Sequence, residues 1–180
     1  MFALIVGIDK YADVRGGREF YFQKISGCVN DAKAMTAFLL EDLQVPAKNV
    51  RTMLDEEATR SNIIHALRGL ATNEDIKRGD PILFYFAGHG AQCRAPPNWV
   101  TKDNQIQMRI PHDFEVDKTV SVKTPLGFQS VPESQSDAPK DSFQGQGQWD
   151  VTLRALLDEI AESKGDNIVC PLTIGRCHLC

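Results

Sequence analysis

Several features that assign a chain to a class at first reading are missing from this sequence. Its 180 residues carry a net charge of −4, so no excess of positive charge points to a nucleic-acid partner. The apolar run FALIVGI follows a single methionine, is too short to span a bilayer, and lacks the basic segment that begins a signal peptide. We therefore predict a protein that binds neither nucleic acid nor a membrane.

Cysteine is scarce and unevenly placed. The sequence has five cysteines, an odd number, and Cys170, Cys177 and Cys180 lie close together at the C-terminus. Small secreted domains that depend on disulfides carry paired cysteines spread along the chain. This pattern instead favours a reducing compartment, and we predict a cytoplasmic location.

Nucleotide-binding loops are also missing. The segment after the first apolar run contains neither a G-x-G-x-x-G pattern nor a G-K-[ST] ending, so the sequence does not predict a nucleotide cofactor. Hydrophobic residues make up 42% of the chain, enough for the core of one globular domain. The length predicts a single domain over residues 1–180.

The order of apolar patterns predicts an α/β fold. Strands are expected at residues 2–8, 50–54 and 82–86, and an amphipathic helix separates each pair. The predicted N-caps of these helices are Asn30 or Asp31, and Thr59 or Ser61. Strands that alternate with helices form a mainly parallel sheet with helices on both faces.

A change in composition interrupts this alternation. Residues 115–148 are rich in Ser, Gln, Pro and Gly and poor in large apolar side chains, which indicates a flexible surface insertion. A further helix is predicted after it, with Asp150 as its N-cap.

The stretch PILFYFAGHGAQC places His89 between Gly88 and Gly90 at the end of a buried strand. Parallel sheets bind ligands at the carboxyl ends of their strands, and an imidazole titrates close to neutral pH. Taken alone, Gly-His-Gly after a strand is more often a plain turn than a catalytic site.

Six stretches together resemble the caspase-related cysteine peptidases, specifically the metacaspase type found in fungi. In chain order they read ALIVGIDKY, GCVNDAKAMTAFL, ATRSNIIHAL, GDPILFYFAGHG, IPHDF and KGDNI. The resemblance implies a caspase-like three-layer fold with a mainly parallel sheet. It also implies peptide-bond hydrolysis by a Cys-His dyad, and a role in apoptosis-like cell death.

The resemblance assigns roles to individual residues. His89 matches the dyad histidine, and the backbone N–H of Gly90 matches a donor to the developing oxyanion. Asp31 matches an acidic residue of the pocket that binds the substrate P1 side chain, which implies cleavage after Arg or Lys. Asp31 could instead serve only as a helix N-cap. Cys28 and Cys93 are predicted to be small, unreactive residues near the core.

No cofactor is implied as a requirement, but many metacaspases are activated by calcium through a cluster of aspartates. Asp113 and Asp150 match part of that cluster, and carboxylate oxygens suit calcium. The alternative is that they are an ordinary loop residue and a helix cap.

The sequence departs from the family at its C-terminus. The family strand that follows KGDNI ends in an Asp-x-Cys-His-Ser-Gly type motif, whose cysteine is the nucleophile. Here the region reads NIVCPLTIGRCHLC, in which Cys177 matches the nucleophile but Arg176 and Thr173 stand where an acid is expected. Pro171 removes a backbone donor from a central strand. We therefore predict that residues 169–180 form an aberrant tail and that the last family strands are missing.

Two other functions stay open at this stage. A chain without a working nucleophile is expected to be a catalytically inactive regulatory or partner-binding module that associates with a full-length relative. Alternatively, His89, Cys93, Cys177 and Cys180 form a possible ligand set for structural zinc.

Overall fold

The computed structural model of the protein describes residues 1–12, 24–94, 105–114, 122–124, 127–129 and 149–174. The strands are β1 (Phe2–Gly7), β2 (Val50–Leu54), β3 (Ile82–Gly88), β4 (Gly90–Arg94), β5 (Gln105–Arg109), β6 (Val122–Thr124), β7 (Gly127–Gln129), β8 (Ile168–Val169) and β9 (Leu172–Ile174). The α-helices are α1 (Cys28–Ala37), α2 (Arg60–Thr72) and α3 (Trp149–Lys164).

The main sheet is parallel, as the alternating pattern predicted. Its strand order is β2-β1-β3-β8, with β9 also paired to β3. Every residue of β1 and of β3 is buried, because helices cover both faces of the sheet. The predicted strands at residues 2–8, 50–54 and 82–86 are confirmed to within two residues at each end.

Helices on the two faces form two separate cores, which confirms the three-layer arrangement. On one face, α2 and α3 pack against alternate residues of the strands, among them Leu4, Val6 and Phe84. On the other face, α1 packs against the intervening residues, among them Ala3 and Ile5. The period of two in a strand separates these two apolar sets.

Residues 169–174, which the sequence assigns to an aberrant tail, contribute strand pairs to the main sheet. Ile168 pairs with Ile82, and Ile174 pairs with Gly88, so β8 and β9 keep one constant register along β3. The break between them falls at Cys170 and Pro171, where proline has no N–H to give to the ladder. One edge strand therefore passes Pro171 without losing its alignment.

The structure confirms the predicted N-cap of α2 but not that of α1. Thr59 caps α2 as expected, because its hydroxyl accepts the backbone N–H of Asn62 at 3.2 Å. The prediction of Asn30 or Asp31 as the cap of α1 is wrong: the helix begins at Cys28, and a carboxylate oxygen of Asp9 accepts the Cys28 N–H at 2.9 Å. The cap comes from the loop after β1 and not from the helix's own sequence.

The end of α1 also differs from the predicted pattern. Residues Phe38–Asp42 form a π-helix, whose wider turn rotates the following side chains away from their α-helical positions. Leu39 is buried, but Phe38 and Leu43 are about half exposed.

Helix α3 begins at Trp149, so Asp150 lies in its first turn and is not the N-cap that the sequence predicted. Most of residues 115–148, the predicted insertion, lie outside the described part of the chain, apart from the short hairpin of β6 and β7. Among the described helices, none combines the length and the apolar content needed to cross a bilayer.

Candidate functional site

His89 lies where β3 ends and the hairpin of β4 and β5 begins, at the carboxyl edge of the parallel sheet. Its backbone is held on both sides. The His89 N–H donates to Oη of Tyr11 at 2.6 Å, and its carbonyl accepts the N–H of Ile110 at 3.0 Å. The residue is only 7% exposed and is the one buried polar residue among those described, so it is largely shielded from water.

The hairpin also determines where the amide of Gly90 is directed. Gly90 pairs with Arg109, and the bond from Ile110 N–H to the His89 carbonyl flanks this pair. In an antiparallel ladder a pair flanked in this way is the non-hydrogen-bonded type, whose own N–H groups point away from the partner strand. The Gly90 N–H is therefore directed away from β5.

Gly88 leaves room for a close approach from the first strand-to-helix loop. A Cβ at this position would lie 2.9 Å from Tyr11 Oη and 3.0 Å from the ring of Phe86. Real Cβ atoms do not come this close to other atoms, so Tyr11 can reach the His89 backbone only because residue 88 is glycine.

The IPHDF segment, residues 110–114, ties three loops together at this edge. His112 Nδ1 lies 2.9 Å from the carbonyl of Lys10, and the His112 N–H donates to the carbonyl of Ala58. Asp113 Oδ1 accepts the N–H of Arg60, the first residue of α2, at 2.7 Å. Asp113 thus caps α2 from outside the helix, and one of its oxygens is engaged in that bond.

Carboxylates gather beside the N-terminus of α1. Asp55 Oδ1 accepts the N–H groups of Asp9 and Lys10, at 2.8 and 2.9 Å, and Asp9 in turn caps α1. Asp31 lies in the first turn of that helix and is exposed. Within the described residues, no hydrogen bond or ion pair engages its carboxylate. The negative charge is therefore concentrated where a ligand could approach it.

The thiol of Cys28 lies among these groups but does not suit nucleophilic chemistry. Its pKa is raised to about 11, mainly by burial and in addition by the nearby carboxylates of Asp9 and Asp31. Burial likewise raises the pKa of Cys170, which the register places level with Phe84, five residues before His89. Five strand residues span about 16 Å, so Cys170 is too far away to act with the imidazole.

We expect iodoacetamide to label Cys28 in the folded protein at pH 7.5 at least ~100-fold more slowly than in the unfolded chain, because only the thiolate reacts. With a pKa of about 11, the rate should climb roughly tenfold for each pH unit from 7.5 to 9.5. Site-resolved mass spectrometry of the alkylated peptides measures both rates. Equal labelling with and without urea at pH 7.5 would contradict the burial of this thiol.

The calcium and zinc predictions concern residues that the structure describes only in part. No group of three or more His, Cys, Asp or Glu side chains with metal-binding geometry occurs among the described residues. Asp113 caps α2, while the side chain of Asp150 and residues 177 and 180 lie outside the description. Both metal sites stay predictions.

Cys177, the predicted nucleophile, also lies outside the described residues, so its distance from His89 is not defined. Tyr11, Asp9 and Asp55 were missed by the sequence reasoning. Each lies in the loop that follows β1 or β2, and the rule that ligands bind at the carboxyl ends of parallel strands could have selected all three.

Comparison with known proteins identifies the family. The caspase-domain profile matches residues 1–127. The chain is 32% identical over 126 residues to metacaspase-1 of Plasmodium falciparum, a match that covers 66% of this chain and 19% of the relative. It is 31% identical over 96 residues to metacaspase-1A of Aspergillus oryzae, covering 50% and 20%. With metacaspase-2 of Trypanosoma brucei brucei it shares 32% over 121 residues, covering 63% and 31%.

The chain thus spans between a fifth and a third of the length of these relatives. They come from protozoa as well as a fungus, so the fungal subtype is not singled out. A crystal structure of a Geobacter sulfurreducens protein has the same fold, with a TM-score of 0.57 at 20% identity, over 95% of this chain and 48% of that one. The parallel sheet, the position of His89 and the profile match agree: the chain belongs to the caspase-domain family of cysteine peptidases and is similar to its metacaspases.

Proposed function

We propose that this protein is a cysteine-type endopeptidase that cleaves after Arg or Lys, with His89 and Cys177 as its catalytic pair. The observation that carries the proposal is the position of His89. The residue lies at the carboxyl edge of the parallel sheet, with its backbone held between two loops and its side chain largely shielded from water. Because the chain belongs to a family of cysteine peptidases, a histidine at this position is suited to act as the general acid and base of peptide hydrolysis.

The register of the last strand supports Cys177 as the partner. Ile174 pairs with Gly88, the residue before His89, and Cys177 follows three residues later. Three residues of chain extend at most about 10 Å, which limits how far Cys177 can lie from the end of β3. Of the other cysteines, Cys28 and Cys170 are excluded by burial or by distance.

The reaction would proceed in two stages. The Cys177 thiolate attacks the scissile carbonyl carbon, and the electron pair of the C=O bond moves to oxygen, where the N–H of Gly90 donates to it. The C–N bond then breaks as the imidazolium of His89 protonates the leaving amine, which produces a thioester. Water, deprotonated by the same imidazole, hydrolyses the thioester and restores the thiol.

Specificity for a basic P1 side chain is supported by the carboxylates around α1. Asp31 is exposed, and Asp9 and Asp55 lie close enough to act electrostatically on Cys28 beside it. A guanidinium can bond to a carboxylate through two parallel hydrogen bonds, which neither an acidic nor an apolar P1 side chain can do.

A panel of fluorogenic peptides that differ only at P1 tests this specificity. We expect the purified chain to cleave peptides with Arg or Lys at P1 and to leave those with Asp or Leu uncut. Asp31→Asn should lower kcat/KM for the Arg peptide by about 10- to 100-fold, because a charged hydrogen bond contributes about 1.5–3 kcal/mol.

The matched control is Asp75→Asn, since Asp75 lies on the exposed surface beside Lys48, away from this edge. Cleavage after Asp, or an Asp31→Asn variant that cleaves the Arg peptide as fast as the wild type, contradicts the basic pocket. Titration of calcium into the same assay tests whether Asp113 and Asp150 contribute to an activating site.

An exposed edge of the sheet favours a second function, that of a partner-binding module without activity. Val169 pairs with Leu83 on one side and is 56% exposed, and no described strand pairs with the other side of β8. Unpaired strand edges accept strands of other chains. A chain that binds a catalytically complete relative but fails to label with a cysteine-directed peptide probe would establish this function in place of the first.

A further inference from the structure

We infer that Tyr11 is a positioning residue for His89, which it holds in the orientation that proton transfer requires. This inference deepens the proposed function and rests on it, since it concerns the same imidazole. The family resemblance assigns no role to the hydroxyl of Tyr11.

The contact joins two loops that are far apart in the sequence. Oη of Tyr11 accepts the backbone N–H of His89 at 2.6 Å, across 78 residues of chain. The ring of Tyr11 lies beside the imidazole, with the ring centroids 5.0 Å apart and the planes tilted by 45°. One side chain therefore touches both the backbone and the ring of His89.

The bond replaces one that the sheet no longer supplies. The parallel ladder between β1 and β3 ends with the pair Gly7 and Ala87, so the amide of His89 lies beyond its last rung. A buried N–H without an acceptor is unfavourable, and Tyr11 Oη provides the acceptor. Its counterpart is Ile110, whose N–H donates to the His89 carbonyl.

Together these two bonds restrain both peptide groups of His89. The backbone dihedrals on either side of the Cα determine which rotamers the imidazole can adopt and therefore where its ring nitrogens point. A general base must lie within about 3 Å of the proton that it transfers. A misplacement of about 1 Å lowers turnover by up to ~100-fold without changing the substrate pocket.

The chemistry of the phenol suits a fixed acceptor. Burial raises the pKa of the Tyr11 hydroxyl above its ordinary value, although the bond from His89 opposes this. The hydroxyl therefore stays protonated over the working range of a peptidase, so it adds no charge beside the imidazole. Gly88 completes the arrangement, because a side chain there would occupy the position of Oη.

Tyr11→Phe tests the inference, because it removes the acceptor and keeps the ring. We expect hydrogen exchange of the His89 amide, measured by NMR, to accelerate at least tenfold relative to neighbouring amides of β3. The imidazole ¹⁵N shifts of His89 should change as well. With an Arg peptide, kcat should fall about tenfold while KM stays within a factor of two, since the pocket carboxylates are untouched.

Thr36→Val is the matched control. It removes the Thr36 hydroxyl, which donates to the Ala32 carbonyl and shares a second hydrogen bond with the Thr52 hydroxyl, on the opposite face of the sheet from α2 and α3. This variant should lower stability to a similar degree while leaving the exchange and ring shifts of His89 unchanged. If Tyr11→Phe alters His89 no more than Thr36→Val does, the positioning role is wrong.

The NMR measurements do not require the chain to cleave peptides, so they separate the two proposals. Changed exchange and shifts in a chain without activity support the role of Tyr11 and contradict the peptidase. If the chain cleaves peptides and Tyr11→Phe leaves the exchange of the His89 amide unchanged, the peptidase is supported and the role of Tyr11 is contradicted. Should Tyr11→Phe fail to fold, Gly88→Ala displaces the hydroxyl from the other side, and the same loss of protection at His89 is expected; retained protection would overturn the inference.

Discussion

Replacing His89 with alanine is expected to lower kcat for an Arg peptide by on the order of a millionfold, and Cys177→Ala should do the same. The two residues form one catalytic unit, so the double variant should be no slower than either single one. Such non-additivity is what separates a catalytic pair from two residues that contribute independently. Turnover of each variant under substrate saturation, with circular dichroism to confirm the fold, measures the effect.

His65→Ala is the control for this series. His65 is an exposed histidine on α2, and its loss should leave kcat within a factor of two. If Cys177→Ala cleaves as fast as the wild type while His89→Ala does not, the nucleophile is another thiol, and Cys93 is the next to replace.

The parts of the fold that depend on local patterns were predictable from the sequence. The buried strand before His89 and the apolar face of α2 follow from hydrophobic periodicity, and both are confirmed. The π-helix after α1 was not predictable, because the short stretch FLLED carries no periodic signal that distinguishes it from an α-helix. Exposure of Phe38 and Leu43 is the consequence.

The site was only half predictable for a related reason. The sequence indicates His89 through its two flanking glycines and the strand before them, all within residues 82–90. Tyr11 and Asp9 act on partners 78 and 19 residues away, and nothing near either residue encodes that contact. Long-range hydrogen bonds to backbone groups depend on how loops meet at the edge of a sheet, which a pattern along one chain segment does not contain.

At Pro171 a local rule led to a wrong prediction, because the pairing of the neighbouring residues with β3 outweighed the effect of the proline. Proline removes a donor from a strand, so the sequence predicted that the fold ends before it. In the structure, the strand pairs before and after Pro171 have the same register with β3. Ile168 pairs with Ile82, and Leu172 pairs with Phe86. A missing bond at one position interrupts the ladder, but the register is determined by the pairs on either side.

Gly7→Ala is expected to destabilise the fold by about 3 kcal/mol, although it adds a single methyl group. A Cβ on Gly7 would lie 2.5 Å from Cβ of Ala32 and 2.7 Å from the carbonyl oxygen of Cys28, so α1 would have to move away from β1. The carbonyl belongs to the backbone and cannot rotate aside as a long side chain does. Urea unfolding, followed by circular dichroism, measures the loss as a lower midpoint at an unchanged slope.

Gly69→Ala provides the same substitution in open space. A Cβ there meets no atom within 4 Å, and alanine is the better helix former, so this variant should be up to about 1 kcal/mol more stable than the wild type. Opposite signs for the two variants would establish that the close approach of α1 to the end of β1 holds Asp31 and the Asp9 cap in place. Equal effects would mean that α1 can shift without loss, and the acidic cluster would then have no fixed position relative to His89.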